Sequence, residues 1–222
     1  MSFWQTLESL GTVTAAGIAA VAAFQSRSSA REANSSARQS SATATELAAI
    51  EKQRRHNELC PRLRVLCEPL NPGSETLRMR VLLTGPPGLD RIDRLTVTIR
   101  NDNYRRGEDH QQIMDGPTEE EVKQQIWGPY RFSAAPAGVR PTQGGREVVY
   151  AAELPLGEEL PYQLEHTYPG RWMTGKTQSD WLRERGNLMR LAFTAEHADY
   201  GTWYLPCEID TASVPTSVYV PQ

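Results

Sequence analysis

The spacing of hydrophobic and polar residues changes once along this chain, near residue 61. Before that point apolar residues recur with a period of about 3.6, which predicts a helix, and after it they alternate with a period of about two, which predicts short strands. Pro61 stands at the change, where it ends the helix because proline cannot continue one. The pattern predicts a long N-terminal helix followed by a β-rich domain over residues 61–222.

The first segment, residues 1–26, is uncharged on nearly every side. No ionisable side chain occurs between residues 9 and 26, and at about 100° per residue the segment divides into two arcs. One arc carries the larger residues, expected to face lipid or a protein core: Leu10, Val13, Ile18, Val21 and Phe24. The other arc is made of small residues, and we expect Ala15, Ala19 and Ala23 to pack against a second helix at close approach.

Three environments fit this uncharged helix. Residues 9–26 are enough to cross a bilayer, but they are mostly Ala, Gly, Thr and Ser, so insertion is marginal. We expect a weak single membrane span, with a soluble homo-oligomeric helix and an interfacial or otherwise buried helix as alternatives. Because arginines follow at 27, 31 and 38, a span would place the domain on the cytoplasmic face and the N-terminus outside. The alternative location is cytoplasmic and soluble.

Residues 27–60 predict a helical stalk rich in Ala and Ser. From residue 26 to residue 58 there is no Gly or Pro, and a seam of mostly small residues follows alternating three- and four-residue steps, as in a coiled-coil heptad: Ala30, Ala33, Ala37, Ser40, Ala44, Leu47 and Glu51. Such small side chains gain little from burial. The seam is therefore expected to need a partner, and a solvated, partly frayed helix is the alternative.

The remaining residues predict an antiparallel β-sandwich with two short helical insertions. Strand-like alternation covers residues 62–67, 77–83, 95–100, 147–153, 162–165, 188–196 and 202–209. Pro/Gly turns separate these segments and no βα repeat occurs, which favours a sandwich. The insertions are predicted at residues 119–126, after a Thr118–Glu121 capping box, and at residues 179–185. We expect the large aromatic residues to anchor the insertions on the sandwich: Trp127, Tyr130, Phe132, Trp172, Trp181 and Trp203.

Composition narrows the classes of function. The formal net charge of −3 includes no basic patch, so we expect no nucleic-acid partner. The three cysteines, at 60, 67 and 207, lack metal-ligand spacing and favour a reducing compartment. The four histidines also lack metal-binding spacing, and we expect no metal and no cofactor.

One run of residues matches a nucleotide-binding motif. Gly170, Gly175, Lys176 and Thr177 fit the P-loop pattern GxxxxGK[ST], but a working P-loop follows an apolar parallel strand, and none is predicted here. We therefore expect the match to be accidental. The Glu165–His166 and Glu196–His197 pairs are the remaining candidates for acid and base catalysis in a hydrolase. Nothing in the sequence requires the two pairs to lie close together in the fold. No catalytic residue is predicted.

Four segments resemble a group of uncharacterised actinobacterial proteins that share an N-terminal hydrophobic helix, an Ala/Arg-rich connector and a β-rich C-terminal region. These segments are residues 90–100, 127–132, 156–161 and 205–210. The resemblance covers nearly the whole chain and implies no activity, ligand or catalytic residue. It also implies that the Gly-Lys-Thr of residues 175–177 lies outside the shared pattern.

Together these patterns favour a non-enzymatic, membrane-associated or self-assembling scaffold or binding protein. Its expected partners are a second copy through the N-terminal helix, a membrane, and a protein of unknown identity bound by the sandwich. A soluble structural subunit of a larger assembly is the alternative. A nucleotide-binding enzyme or hydrolase is the least favoured reading.

Overall fold

The computed structural model describes residues 3–102 and 116–221, and for residues 3–26 and 28–30 it describes the backbone only. The chain divides into two compact units, Met1–Arg54 and Arg55–Gln222. The predicted contacts of Ala15, Ala19 and Ala23, and of the larger residues at 10, 13, 18, 21 and 24, therefore lie outside the described side chains.

A single helix, α1 (Phe3–Glu58), spans the two predicted N-terminal segments. Its 56 residues correspond to about 84 Å at the α-helical rise. The helix ends where the amide of Leu59 bonds the carbonyl of Arg55 and Pro61 follows. Every side chain from residue 31 to residue 55 is exposed.

Among the described residues, no helix contains a stretch long and apolar enough to cross a membrane. This finding runs against the weak span expected for residues 9–26. The physical reason lies in the composition, because Ala, Gly, Thr and Ser fill most of that segment and contribute little to insertion.

Eleven strands occur among the described residues of the second unit. They are β1 (Arg62–Pro69), β2 (Leu77–Gly85), β3 (Arg91–Ile92), β4 (Arg94–Ile99), β5 (Tyr130–Ala134), β6 (Glu147–Tyr150), β7 (Leu154–Pro155), β8 (Glu159–His166), β9 (Leu188–His197), β10 (Gly201–Asp210) and β11 (Thr216–Val220). One sheet has the order β11-β1-β2-β8-β5 and a second has the order β10-β9-β4-β6, while β3 and β7 form a short ribbon.

The two larger sheets enclose one hydrophobic core, and their strand pairs are antiparallel. Alternate residues of each strand point inward, as in β1, where Leu63, Val65 and Cys67 are buried, and in β10, where Leu205 and Cys207 are buried. This period-two burial is what the alternating sequence predicts. The predicted fold class, mainly β with a long N-terminal helix, is confirmed.

The two helical insertions are also present. The first, α2 (Glu119–Gln124), has the predicted capping box, in which the side chain of Thr118 accepts from the amide of Glu121 and the carboxylate of Glu121 accepts from the amide of Thr118. It ends two residues earlier than predicted, because Gln125 is extended. The second, α3 (Gln178–Arg185), ends at Gly186, which has a positive φ of 67°.

Buried aromatic residues fix the second insertion to the sandwich. Trp127 and Trp181 are almost fully buried, with ring centroids 5.7 Å apart, and the guanidinium of Arg185 lies over both rings. The hydroxyl of Thr167 accepts a hydrogen bond from Trp181 Nε1 and donates one to the carbonyl of Gly128. These contacts define the loop between β8 and α3, which forms one wall of the cleft described below.

Candidate functional site

Over residues 31–50, charged residues occupy only one side of α1, whereas after residue 50 Glu51 and Arg54 lie on the other side. Between residues 30 and 50 the ionised side chains are Arg31, Glu32, Arg38 and Glu46. At about 100° per residue these four fall within an arc of about 120°, so about 240° of the helix carries no charge. We refer to this larger arc, over residues 30–50, as the uncharged face.

Among the described side chains of α1, the exposed large aliphatic residues lie on or beside the uncharged face. Leu47 lies within it and Ile50 lies at its edge, and these side chains are 61% and 64% exposed. Ala44 lies near its centre. The hydroxyl of Thr43, also on this face, donates to the carbonyl of Gln39 at 3.0 Å. Because this hydrogen bond lies within the helix, burying the hydroxyl against a partner costs less free energy. Serine and threonine also lie on this face, so it is uncharged and only partly apolar, and its small side chains are what suits it to close approach of another helix.

The P-loop-like run lies in the connection from β8 to α3. The strand before it, β8, pairs antiparallel with β2 and β5, unlike the parallel strand that precedes a working P-loop. Lys176 Nζ lies 2.6 Å from a carboxylate oxygen of Glu184 and 5.5 Å from the ring centroid of Trp181. Thr177 caps α3 by accepting from the amide of Asp180. These groups serve the local fold of α3.

The Glu165–His166 pair lies at the end of β8, in the five-stranded sheet. The carboxylate of Glu165 lies 2.7 Å from the guanidinium of Arg131 on β5. His166 Nε2 lies 3.1 Å from the hydroxyl of Tyr130, on the same neighbouring strand. Both side chains are therefore engaged across the β5–β8 ladder.

The Glu196–His197 pair lies at the end of β9, in the four-stranded sheet. The carboxylate of Glu196 lies 3.8 Å from the guanidinium of Arg94 on β4. His197 Nδ1 accepts from the amide of Asp199 at 3.1 Å. The two Glu–His pairs thus belong to different sheets and have separate partners. Among the described residues no group of three metal-ligating side chains is close enough to hold a metal ion.

The cysteine thiols are poorly suited to act as nucleophiles. Burial raises the pKa of Cys67 to about 12 and that of Cys207 to about 12. Partial burial also raises the pKa of Cys60, although Arg62 opposes the shift. Because the thiolate is the reactive form, the buried thiols of Cys67 and Cys207 stay protonated and unreactive at neutral pH.

A cleft of about 840 Å³ lies in the second unit. Its walls are α2, the turn at Gln143–Arg146 and the loop of residues 167–172, and pockets that bind small molecules have volumes of this order. Four cationic side chains line it, together with two carboxylates: Lys123, Arg131, Arg146, Arg171, Glu120 and Glu121. Sequence reasoning missed this site because the cations come from four separate segments and form no motif. Of the P-loop-like run, residues 170–172 line the cleft, whereas Lys176 and Thr177 do not line it.

Comparison of the chain with protein-family models, with curated proteins and with solved structures gave no match. The resemblance to uncharacterised actinobacterial proteins stays a prediction. The function is argued below from the geometry of this chain alone.

Proposed function

We propose that this protein is a non-enzymatic scaffold that self-associates through α1 and so holds several copies of its β-sandwich together. The observation that carries this proposal is the exposed uncharged face of α1 over residues 30–50, with Leu47 and Ile50 on it. The chemistry of the sandwich favours binding over catalysis, because its Glu–His pairs have separate partners and its buried thiols have a high pKa.

A second copy of the same helix is the partner that best suits this face. Small side chains such as Ala37 and Ala44 let two helix backbones approach closely, and the charged arc stays in water. Helix stability in proteins comes mostly from packing of one face rather than from propensity. A helix of 56 residues with exposed side chains over residues 31–55 gains that packing when it associates.

The expected association is weak. Burying one Leu or Ile contributes about 1.5–3 kcal/mol, so the Leu47 and Ile50 side chains of two copies contribute about 6–12 kcal/mol in total. Association itself costs about 4–15 kcal/mol. Because the gain and the cost are of similar size, the net affinity is small, and we expect both monomer and assembly to be populated over a concentration series.

Sedimentation velocity of the full chain over a concentration series tests this proposal. Ala44→Glu places a charge near the centre of the uncharged face and should shift the protein to monomer. Ala42→Glu is the matched control, because Ala42 lies two residues away in the charged arc and the helix propensities of the two variants are the same. We expect Ala42→Glu to sediment like the unmodified chain.

Three outcomes would contradict the proposal. The first is a chain that stays monomeric at every concentration. The second is equal dissociation by Ala44→Glu and Ala42→Glu, which would mean that the uncharged face does not form the contact. The third is flotation of the unmodified chain with phosphatidylcholine vesicles, combined with a monomeric state in their absence. That result would favour a membrane as the partner of α1.

A further inference from the structure

The cleft between α2, the Gln143–Arg146 turn and the 167–172 loop has an excess of positive charge. Its lining includes four cations and two carboxylates, in a chain whose formal net charge is −3. Positive charge is therefore concentrated at this cleft against the sign of the chain. Such concentration raises the local density of anions.

Part of this charge is already neutralised within the fold. The carboxylate of Glu121 accepts from the amide and hydroxyl of Thr118, and the pKa of Glu121 is lowered chiefly by those hydrogen bonds, with a smaller effect from the charge of Arg171. Arg131 pairs with Glu165. Arg131 therefore has a counter-charge outside the lining, whereas the neutral donors of Thr118 leave the Glu121 carboxylate charged.

Within the described part of the chain, three cations of the lining form no direct ion pair. Among the described residues, no carboxylate oxygen lies within ion-pair distance of Lys123, Arg146 or Arg171. All three line the same cleft. Cations that line one cleft and form no direct ion pair with its carboxylates, Glu120 and Glu121, favour the binding of an anion there.

Arg146 is held in position by the backbone. Its Nε donates to the carbonyl of Ile99 and its Nη1 donates to the carbonyl of Lys123, both at 3.2 Å. These acceptors are neutral, so they fix the guanidinium without cancelling its charge. A pre-positioned guanidinium loses less conformational entropy when it binds a ligand.

The walls of the cleft are also fixed. Gln125 Nε2 donates to the carbonyl of Tyr168 at 2.8 Å, which joins the end of α2 to the 167–172 loop. A Cβ atom on Gly145 would lie 2.6 Å from the carbonyl oxygen of Phe132, and one on Gly170 would lie 2.6 Å from the ring of Trp172. Glycine at both positions therefore permits close packing of the walls.

We propose that this cleft binds a small organic anion, whose phosphate or carboxylate group is held by Lys123, Arg146 and Arg171. Arginine offers paired N–H donors that match such groups, and lysine adds a point charge. Tyr168 and Trp172 give the cleft aromatic surface beside these cations, on which a planar part of the ligand stacks. The volume exceeds what a bare phosphate ion needs, so the ligand extends beyond its anionic group.

Calorimetric titration of the full chain at low ionic strength tests this proposal with three probes: inorganic phosphate, citrate and adenosine monophosphate. We expect saturable binding of at least one organic probe, tighter than that of inorganic phosphate. Preference for citrate or for adenosine monophosphate then distinguishes a carboxylate ligand from a phosphate ligand. Added salt should weaken the binding because the attraction is electrostatic.

Substitutions in the lining of the cleft test whether the probe binds there. Loss of one charge-assisted hydrogen bond costs about 1.5–3 kcal/mol, so Arg146→Gln should weaken binding by about tenfold or more. Because Arg146 also bonds the backbone, the double variant Lys123→Gln with Arg171→Gln, at two exposed positions, gives an independent reading and should weaken binding at least as much. Arg140→Gln is the matched control, since Arg140 is exposed and does not line the cleft. Its affinity should be unchanged.

Lys176→Ala distinguishes binding at this cleft from nucleotide binding by a P-loop that uses Lys176. Lys176 pairs with Glu184 and does not line the cleft, so binding should survive its removal. The proposal is overturned if no probe binds saturably, or if Arg140→Gln weakens binding as much as Arg146→Gln does. It is also overturned if Lys176→Ala abolishes binding while the cleft variants retain it.

Discussion

The hydroxyl of Thr167 joins the α3 insertion to the rest of the sandwich, and its removal should be costly. Thr167 is 2% exposed. Its Oγ1 donates to the carbonyl of Gly128 at 2.6 Å and accepts from Trp181 Nε1 at 2.9 Å. Thr167→Val keeps the shape of the side chain, but it leaves both of these buried groups without a partner.

The cost follows from those two groups. A buried donor or acceptor that loses its partner costs about 1–3 kcal/mol, so Thr167→Val should lower the free energy of unfolding by about 2–6 kcal/mol. For a domain of this size each kcal/mol corresponds to about 2–4 °C in Tm. A loss of about 4 kcal/mol would thus lower Tm by about 8–16 °C.

Thr167→Ser is the matched control. Serine keeps the hydroxyl and loses one methyl group, which should cost about 1 kcal/mol. Urea unfolding followed by tryptophan fluorescence measures both variants, because Trp127 and Trp181 lie beside this contact. If Thr167→Val is no more destabilising than Thr167→Ser, the hydroxyl does not bridge the two groups and the argument fails.

Three further predictions concern single groups. Tyr162 is buried and its hydroxyl has no hydrogen-bond partner among the described residues, so Tyr162→Phe should raise the free energy of unfolding in urea by about 1 kcal/mol; a loss of stability would reveal a partner. A maleimide should label Cys60 in the folded chain at pH 8 and reach Cys67 and Cys207 only after denaturation, as counted by mass spectrometry. The folded-state pKa of Glu121 lies below its usual value of 4.5, so its stabilisation of α2 is present above that pH and is lost as the pH falls through the folded pKa. A loss of amide protection in α2 on acidification, relative to the central strand β9, would show this.

The sequence predicts those parts of the fold that repeat a local pattern. The alternation in Leu63, Val65 and Cys67 indicates β1, and the Thr118–Glu121 spacing indicates the start of α2, because in each case the signal lies within a few residues. The strand β5 (Tyr130–Ala134) was missed although Tyr130 and Phe132 alternate with Arg131. Its aromatic residues were interpreted as anchors, and its pairing with β8 depends on residues 29 to 36 positions away.

Other differences have similar causes. The strand β11 (Thr216–Val220) lies between Pro215 and Pro221, which obscured its β-branched alternation. The predicted strand over residues 147–153 ends at Tyr150, because its pairing with β4 ends where Leu95 meets Tyr150. Strand limits of this kind are set by the neighbouring strand rather than by the segment itself.

The start of the sandwich unit also depends on distant contacts. The last turn of α1 belongs to that unit, which begins at Arg55. The ring of His56 stacks on that of Trp203 at 4.9 Å, and Trp203 Nε1 donates to the carbonyl of His56. His56 Nδ1 lies 2.6 Å from the carbonyl oxygen of Tyr200, so this nitrogen carries the proton. The sequence gives no local sign that a histidine of the predicted stalk is part of the sandwich.

The two proposals concern different units, and this makes their failures separable. If α1 associates, each assembly carries one cleft per copy, but a ligand with a single anionic group gains nothing from that arrangement, since each cleft binds independently. Only a partner that displays several anionic groups gains avidity, by about 10²–10⁴ when the spacing allows simultaneous binding. Ala44→Glu should therefore leave the affinity for adenosine monophosphate or citrate unchanged, and Arg146→Gln should leave the sedimentation of the chain unchanged. A variant that altered both properties would show that assembly and ligand binding are coupled. That result would contradict the independence that we infer because Ala44 and Arg146 belong to different units.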